Sequence, residues 1–513
     1  MIDISARKFL IIVTGIGLIV LAVTALYNFK ANSWGIYADD YQTFHPRIRP
    51  NRHWMKTDYL LHESHSYDCI LFGSSRVAAI DARKLEGNCY NFTHSGGLPS
   101  NHLTALKSFL DSGLELDRIY LGLDDISYQW NPNFGEQQHM RRGYPTSIVD
   151  WIDAQAFYLL QPVKPKILGL ASGVVERKKL AWHVVDPNLD WERINSESLE
   201  FLEDPEEQDK KFRDLRSTLS AGAYHGDAAA ESVRRFVRLA KQHNIEIVLF
   251  FNPLHYKTYF TRRYANYLDF KQQVSKIAPF FDFTGLNRYS ADNGYWKETS
   301  HYSSIVGDHM ARIINGAKPG TSGFGRLVTA NSLADLEERQ LSNDLQYLTE
   351  VIKAEGLIEL PVRFVRSLRE SNRLRDATVV QPKGQKSRVL VDGGEFKLRR
   401  GDDVKDYRPG IWTRLKPERL FLLEFSVTMK RWDRLLFRLR QDEDKYESGW
   451  RNYLYLSNGD SETGYIAGYS TLNRPPIRVG LGEGEIDQLW EPLKMYQILP
   501  RRRPPSHSGD KAL

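Results

Sequence analysis

The stretch CILFGSSR, residues 69–76, decides the fold class of this chain. Its first four residues form an uninterrupted apolar run, as expected for a strand that is buried on both faces of a parallel sheet. The run ends at Gly73, and two serines follow at once. Because ligands bind at the carboxyl edge of open parallel sheets, this turn places hydroxyl groups where a substrate would enter.

Four further apolar runs alternate with helical stretches, which is typical of a parallel sheet with crossover helices. The predicted strands after the first are 89–92, 118–123, 245–251 and 280–283. The predicted helices run from Pro99 to about Leu110, from a cap at Asp227, over about 262–277, and from Ser303 to about Asn315. We therefore predict an α/β domain at about 65–318, with a flavodoxin-like, doubly wound parallel sheet.

The stretch 135–225 does not fit this alternation, and we predict an insertion there that forms a lid or substrate wall over the open edge of the sheet. Outside the α/β domain, the texture of the chain changes several times. The predicted parts are a stalk or packed lead-in at 31–64, a helical connector at 325–375, a β-sandwich and possible glycan-binding module at 376–500, and a disordered tail at 501–513.

The first segment of the chain predicts a membrane anchor. Arg7 and Lys8 precede the uncharged run FLIIVTGIGLIVLAVTALY, residues 9–27, and one bilayer crossing needs about 20 residues. A cleaved signal peptide is the rival interpretation, but the run exceeds the usual signal core of about 7–15 residues and no clean cleavage site follows. We expect a cytoplasmic stub and anchor in residues 1–30, with the bulk of the chain extracytoplasmic, either periplasmic or at the cell surface.

Charge and cysteine content exclude some classes of function. A net charge of +6 on 513 residues is too small to indicate a nucleic-acid partner, and it fits an anionic membrane or an acidic glycan equally well. Cys69 and Cys89 have no His-rich cluster near them, so neither a zinc site nor another cofactor is expected. Two interpretations of the cysteines stay open: a disulfide in an oxidising compartment or, as we favour, two small buried side chains in neighbouring strands.

A candidate acid and base lie at the far end of the same domain. Glu298 and His301 follow the last predicted strand of the sheet and precede its closing helix. Their E-x-x-H spacing allows a carboxylate to orient an imidazole while the imidazole deprotonates a hydroxyl. An acid, a base and a serine nucleophile are therefore expected at one edge of one sheet.

At these positions the sequence resembles the SGNH, or GDSL-like, hydrolase superfamily, over about half of the chain. The strand and turn ILFGSSR match the first family block and imply that Ser75, rather than Ser74, is the nucleophile. The stretch NFTHSGG matches the second block and implies that Gly96, with Gly97 as the alternative, donates a backbone N–H to the oxyanion. The last block, D-x-x-H, falls on Glu298–His301, with Glu in place of Asp.

The third family block, G-x-N-D, falls on residues 122–125, where Asp124 stands in place of the oxyanion-hole Asn. An ionised carboxylate would oppose the negative charge that develops there, and the loss of one neutral donor already costs about 3–4 kcal/mol. Three possibilities stay open: the backbone amides of Ser75 and Gly96 suffice, Asp124 turns away, or another group substitutes.

Three more residues are candidates for a substrate pocket. Arg76 either binds an anionic substrate group or forms a salt bridge at a helix start. Asn252 and His255 follow the strand 245–251, where they either line the pocket or form a turn.

The resemblance implies a membrane-anchored serine esterase or O-acyltransferase with a Ser75–His301–Glu298 triad. Ser75 would take an acyl group, acetyl in similar proteins, from an acylated glycan or other ester and pass it to water or to a sugar hydroxyl. Polysaccharide biosynthesis proteins are the expected partners. The alternative is a catalytically degenerate domain that binds or scaffolds machinery for polysaccharide export, and a lipase is a third option.

Overall fold

A computed structural model of the chain describes most of its first 376 residues and, beyond them, individual strands. The described residues are 6–32, 34–37, 41, 43–44, 50–63, 65–132, 142–161, 178–179, 183–204, 206–208, 212, 224–260, 264–319, 324–332, 336–355, 357–360, 362–371, 374–376, 379–380, 389–392, 395–398, 410–413, 419–428, 433–439, 450–456, 461–470, 476–481 and 494–498. The predicted tail at 501–513 lies outside them.

Six strands form the central sheet. They are β1 (Cys69–Phe72), β2 (Cys89–Asn91), β3 (Arg118–Leu123), β4 (Glu246–Phe251), β5 (Phe280–Asp282) and β8 (Arg326–Val328). Their order is β8-β5-β4-β3-β1-β2, with β8 antiparallel to β5 and every other neighbouring pair parallel. The five parallel strands follow the order 2-1-3-4-5, which is that of a flavodoxin-like sheet. The prediction of a mostly parallel α/β sheet is confirmed.

Two further strands, β6 (Trp296–Glu298) and β7 (His301–Tyr302), form an antiparallel hairpin outside this sheet. The helices are α1 (Ala6–Ala31), α2 (Arg52–His62), α3 (Pro99–Asp111), α4 (Asp125–Gln129), α5 (Ile148–Leu160), α6 (Asn188–Glu203), α7 (Gly226–Gln242), α8 (Tyr256–Tyr259), α9 (Tyr264–Ser275), α10 (Ser304–Ile314), α11 (Leu336–Glu355) and α12 (Val362–Glu370). Short 3-10 turns cover Val77–Ala79, Ala82–Lys84, Asn293–Tyr295 and Ala330–Ser332.

The central sheet is buried on both faces. Successive strand residues point to opposite sides, and in β1 both sets of side chains enter a hydrophobic cluster. In β1, Ile70 and Phe72 join the hydrophobic cluster that includes Phe109 of α3 and Phe236 of α7. Leu71 points the other way and joins the cluster that includes Met310 of α10. This double burial explains why β1 is apolar at every position. α7 begins at Gly226, and His225 is its N-cap residue. The prediction that Asp227 caps this helix was wrong, since Asp227 lies in its first turn.

Cys69 and Cys89 form a disulfide. They are direct partners in the register between β1 and β2, with their Cα atoms 4.2 Å apart. The neighbouring-strand placement was predicted, but the favoured interpretation of two unlinked side chains was wrong. The sequence identifies the strands and not their register, and only the register brings the two sulfur atoms together.

The segment that leads into the domain is packed against it over the length of α2. Asn51 caps this helix by accepting a hydrogen bond from Trp54 N at 3.0 Å. Lys56 is buried, and its Nζ donates to Asn91 O at 2.6 Å and to Thr93 O at 3.0 Å. Residues 50–62 are therefore packed against the domain, and the assignment of 31–64 as a separate segment stays a prediction.

The α/β core continues past the predicted boundary at residue 318. β8 adds an antiparallel edge strand to the sheet, and Leu348, Val351 and Ile352 of α11 are buried in the same cluster as β1 and α7. Asp344 of α11 accepts hydrogen bonds from Tyr259 Oη at 2.7 Å and from Leu286 N at 2.8 Å. The helical connector is thus part of the core that supports the sheet.

From Leu357 onward, the described strands form two antiparallel five-stranded sheets, so the first sheet begins within the predicted connector. One contains Leu357–Glu359, Ser461–Ser470, Arg419–Thr428, Lys494–Ile498 and Leu374–Asp376, in that order. The other contains Val379–Val380, Gly410–Thr413, Pro476–Leu481, Asp433–Leu439 and Trp450–Leu456. Val389–Asp392 pairs with Glu395–Leu398. The β-sandwich and its glycan-binding role stay predictions.

The N-terminal helix α1 is long and apolar enough to cross a membrane. Within Lys8–Ala31, the most apolar window of 18 residues has a mean hydropathy of 2.8 and is exposed along its length. An N-terminal signal sequence has the same length and composition. Near its end, Asn28 and Ala31 are buried against the folded domain.

The described parts of the predicted insertion lie in two places. α5 packs beside the end of α1, whereas α6 packs against α10 and the β6–β7 hairpin. Ser198 of α6 accepts a hydrogen bond from Ser304 N at 3.0 Å. A short pair joins Thr43–Phe44 to Lys178–Lys179. The role of the insertion as a lid or substrate wall stays a prediction.

Candidate active site

Ser75 lies in the turn that follows β1, at the carboxyl edge of the sheet. Gly73 begins this turn, and a Cβ atom built there would lie 2.4 Å from Val77 Cγ2. No larger residue fits without displacing Val77, so glycine allows the chain to fold back over the end of the strand. Ser74 is buried in the turn, while Ser75 is half-buried at its outer side.

The structure brings Ser75, His301 and Glu298 together. Ser75 Oγ lies 2.8 Å from His301 Nε2, and His301 Nδ1 is hydrogen-bonded to Glu298 Oε1. An ionised carboxylate can only accept, so Nδ1 carries the imidazole proton and Nε2 is left to accept the proton of the serine hydroxyl. This is the order of contacts that base-assisted activation of a serine requires.

The carboxylate of Glu298 is held in its charged form. Burial raises the pKa of this carboxyl, but the hydrogen bond and charge of His301 and the amide of Ser300 outweigh that effect, and the net pKa lies below its ordinary value. Ser300 N donates to Glu298 Oε2 at 2.8 Å, so both carboxylate oxygens are engaged. The side chain of His301 is 40% exposed, which leaves it accessible to a substrate.

The β6–β7 hairpin positions the acid and the base. Glu298 and His301 are direct cross-strand partners, which explains why a three-residue separation places their side chains in contact. Trp296 anchors the hairpin from below, and its Nε1 donates to Tyr289 O at 2.7 Å. Tyr302 Oη donates to Asn252 Oδ1 at 2.8 Å and so fixes the hairpin to the end of β4.

Arg76 is buried and does not face a substrate, which corrects its assignment to the pocket. Its guanidinium pairs with Asp125 at the start of α4 and lies 3.2 Å from Asp124 Oδ2. Arg76 also donates from Nε to Ser300 O at 2.9 Å and from Nη2 to Ser300 Oγ at 3.0 Å. The alternative interpretation, a salt bridge at a helix start, describes its charge contacts, and the contacts with Ser300 were not foreseen.

Asp124 is turned into this buried network. Its Oδ2 accepts a hydrogen bond from Ser74 Oγ at 2.6 Å, and the same oxygen faces Arg76. Burial raises the pKa of the Asp124 carboxyl, and the charge of Arg76 opposes that rise. Of the three possibilities for this position, the geometry matches the one in which Asp124 turns away and its side chain is no oxyanion donor.

Gly96 lies beside Ser75 in the turn after β2 and has a φ of 68°, which glycine adopts without strain. Gly97 N already donates to His94 O at 3.2 Å. For the amides of Ser75 and Gly96, no backbone acceptor is found among the described residues. Of the two glycines, Gly96 is therefore the candidate donor, and its role in an oxyanion hole stays a prediction.

Asn252 and His255 are fully buried, and this corrects the prediction that they line a pocket. Asn252 accepts from Tyr302, as described above, and His255 Nε2 lies 2.9 Å from Asn293 Oδ1. Burial lowers the pKa of His255 to about 3, so its ring is neutral. Both side chains lie behind the hairpin. They support the site and do not face a substrate.

Thr258 is a supporting residue that sequence analysis missed. Its Oγ1 donates to Thr299 O at 2.6 Å and holds the loop between Glu298 and His301 from behind. No sequence signal marks this contact, since the two residues are far apart in the chain and belong to no shared motif. Within the described residues, no group of His, Cys, Asp and Glu side chains is arranged to hold a metal ion.

No protein-family model and no curated protein matches this sequence. Solved structures show a weak similarity. CapF, a capsular polysaccharide assembling protein from Staphylococcus aureus, has 9% identity and a TM-score of 0.17, with 86% of this chain and 98% of CapF covered. A two-domain esterase active on acetylated mannans has 7% identity and a TM-score of 0.21, with coverage of 88% and 96%. TM-scores of this size establish no common fold.

Proposed function

We propose that this chain is a membrane-anchored SGNH-type serine esterase or O-acyltransferase. Its substrates would be acyl esters, with acetyl as the expected acyl group, of an envelope or extracellular glycan. The observation that carries the proposal is the contact of 2.8 Å between Ser75 Oγ and His301 Nε2, with Glu298 bonded to the other ring nitrogen. This geometry supports serine-dependent ester chemistry, whereas the acetyl group and the glycan rest on the resemblance described above.

The triad acts in two half-reactions. His301 Nε2 accepts the proton of Ser75 as Oγ attacks the ester carbonyl carbon, and Glu298 stabilises the imidazolium that forms. The carbonyl oxygen becomes an oxyanion, and the backbone amides of Ser75 and Gly96 are the donors that we propose for it. When the tetrahedral intermediate collapses, the alcohol leaves with the proton from His301 and the acyl group stays on Ser75.

The second half-reaction separates an esterase from an acyltransferase. His301 deprotonates the incoming nucleophile, which attacks the acyl carbonyl and releases Ser75. Water as the nucleophile gives a carboxylic acid, whereas a sugar hydroxyl gives a new ester. The triad serves both outcomes, so access of water and binding of an acceptor decide between them.

The second candidate function is a degenerate domain that scaffolds polysaccharide export or modification machinery. The replacement of the family Asn by Asp124 favours it, because the site then lacks one side-chain donor to the oxyanion. Loss of one such donor slows catalysis by roughly 10²–10³ and does not abolish it. Against the scaffold, the three triad side chains keep a productive order of contacts.

Covalent labelling tests the proposal. The full-length protein in detergent micelles is exposed to a fluorophosphonate probe, which reacts with activated serines. We expect labelling of the wild type, loss of labelling in Ser75→Ala and in His301→Ala, and retention in Ser74→Ala, the matched control one residue away. Labelling that persists in Ser75→Ala, or a folded wild type that does not react, would overturn the assignment. Release of acetate from an acetylated oligosaccharide then tests the acyl group and the substrate.

A further inference from the structure

Helix α5 exposes large apolar side chains. Ile148 and Val149 are each 70% exposed, Ile152 is 57% exposed, and Trp151 is 48% exposed. The helix is anchored from the other side, where Ala154 and Tyr158 are buried against Trp34 and Trp54. Contiguous exposed apolar surface of this kind marks an interaction site, because leaving it in water is unfavourable.

The position of α5 indicates what covers this surface. Asn28, near the end of α1, donates from Nδ2 to Leu159 O at 2.7 Å and to Gln161 O at 2.8 Å. The end of the apolar helix is thereby fixed to the end of α5. Leu26 and Phe29, on either side of this contact, are 58% and 55% exposed. Leu160, beside this contact, is 41% exposed, so exposed apolar side chains lie on both helices where they meet.

We propose that α5 lies in the interface of a lipid bilayer, with its exposed apolar side chains inserted among the headgroups. Helices of this type embed by about 5–10 Å, and Trp is enriched at that depth. A lipid surface is favoured over a protein partner because α5 is hydrogen-bonded to the end of α1. Lipid that surrounds this end of α1 would therefore also contact α5. This inference depends on α1 being a retained span and is independent of the proposed catalysis.

The carboxylates of α5 do not oppose this placement. Asp153 pairs with Arg142 Nε at 2.7 Å, so its charge is compensated within the protein. Asp150 accepts from Thr146 Oγ1 at 2.9 Å and lies in the first turn of the helix, where the helix dipole stabilises a negative charge.

Two hydrogen bonds from neighbouring residues of the chain link α5 to the loop of the candidate active site. Asn51 Nδ2 donates to Tyr158 Oη of α5 at 2.7 Å, and the next residue, Arg52, donates to Ser95 Oγ at 2.6 Å. Ser95 directly precedes Gly96, the candidate oxyanion donor. α5 is therefore joined through α2 to the loop that holds Gly96.

Site-specific fluorescence tests the membrane contact. The full-length protein is placed in vesicles of equal parts phosphatidylethanolamine and phosphatidylglycerol. Its two cysteines are joined in a disulfide, so a new thiol can be labelled selectively with an environment-sensitive nitrobenzoxadiazole dye. Labels go on Val149→Cys and Ile152→Cys, and the control is Lys241→Cys, an exposed position at the end of α7 next to the amino edge of the sheet.

We expect nitroxide-bearing lipids to quench the labels at 149 and 152 several-fold more than the label at 241, and aqueous iodide to show the reverse order. Iodide quenching at 149 and 152 that equals the control would show that α5 is in water and overturn the proposal. Protection from both quenchers would also overturn it, because the helix would then be covered by protein, either a partner or a second copy. Two labelled positions guard against a local effect of either substitution.

Discussion

Arg76 Nε donates a hydrogen bond to Ser300 O at 2.9 Å and so joins the turn of the nucleophile to the loop of the base. Ser75 lies in a turn and His301 begins β7, far apart in the sequence, and each directly neighbours one partner of this bond. The same guanidinium is paired with Asp125 and faces Asp124, so the link is fixed at its buried end. The distance between nucleophile and base therefore depends on a residue that never touches the substrate.

Replacement of Arg76 tests this link. In Arg76→Met the carboxylates of Asp124 and Asp125 lose their buried counter-charge, which costs about 3–5 kcal/mol in the free energy of unfolding. Chemical denaturation followed by tryptophan fluorescence measures that loss. Neutralising the acids as well, in Arg76→Met with Asp124→Asn and Asp125→Asn, should restore part of the stability but not the rate of fluorophosphonate labelling. Recovery of labelling together with stability would show that Arg76 does not position the loop.

Glu298→Gln tests the orientation of the base. Glu298 accepts hydrogen bonds from both His301 Nδ1 and Ser300 N, and an amide cannot accept from both with its two terminal atoms. The imidazole loses its orientation or takes the tautomer that cannot accept the serine proton. We expect the labelling rate to fall by about 10²–10⁴. Glu298→Asp, which keeps the charge on a shorter arm, should retain more of the rate, and equal losses in both variants would contradict a role for the charge.

The disulfide provides a test of compartment as well as of stability. Cys69 and Cys89 are separated by 20 residues, and a loop of that size lowers the entropy of the unfolded chain by the equivalent of about 3 kcal/mol at 25 °C. The double variant Cys69→Ala with Cys89→Ala should lose stability of that order. Thiols in protein taken directly from cells should resist alkylation until a reductant is added. Two reactive thiols before reduction would place the domain in a reducing compartment and contradict an extracytoplasmic location.

The sequence predicted the central strands because burial on both faces leaves a continuous apolar run, as in β1. The edge strand β8 was missed because it is only three residues long and only Val328 of the three is buried. Register was also outside the reach of the sequence, and the disulfide depends on register. The local sequence pattern therefore predicts the central strands of the sheet. The edge strand and the register depend on long-range pairing, which that pattern does not show.

At the site, the sequence predicted the residues whose positions are set within one hairpin or one turn. The spacing of Glu298 and His301 is a cross-strand pair, and Ser75 follows directly from its strand. The network of Arg76 with Asp124 joins the ends of two strands, and its geometry depends on the order of strands in the sheet. Asn252 was predicted to line the pocket because it follows a strand. Its side chain is instead buried and accepts a hydrogen bond from Tyr302 of the hairpin.

The last prediction concerns acid stability and a buried histidine of α2. Burial lowers the pKa of His53 to about 4, from an ordinary value of 6.5, and its ring packs against His94 with centroids 5.1 Å apart. The unfolded chain therefore binds the proton more readily than the folded one. Stability from this group is complete above pH 6.5, falls as the pH drops from 6.5 to 4, and the total loss is about 3 kcal/mol.

His53→Leu removes this titration and replaces the imidazole with an apolar side chain of similar size. Urea denaturation across that pH range should show a smaller loss of stability on acidification in the variant than in the wild type. The difference between the two slopes should approach one proton near pH 5. His62→Leu, at an exposed position of the same helix, is the matched control for the loss of a histidine from α2. Parallel pH profiles for wild type and His53→Leu would show that His53 is already protonated, or open to solvent, in the folded protein.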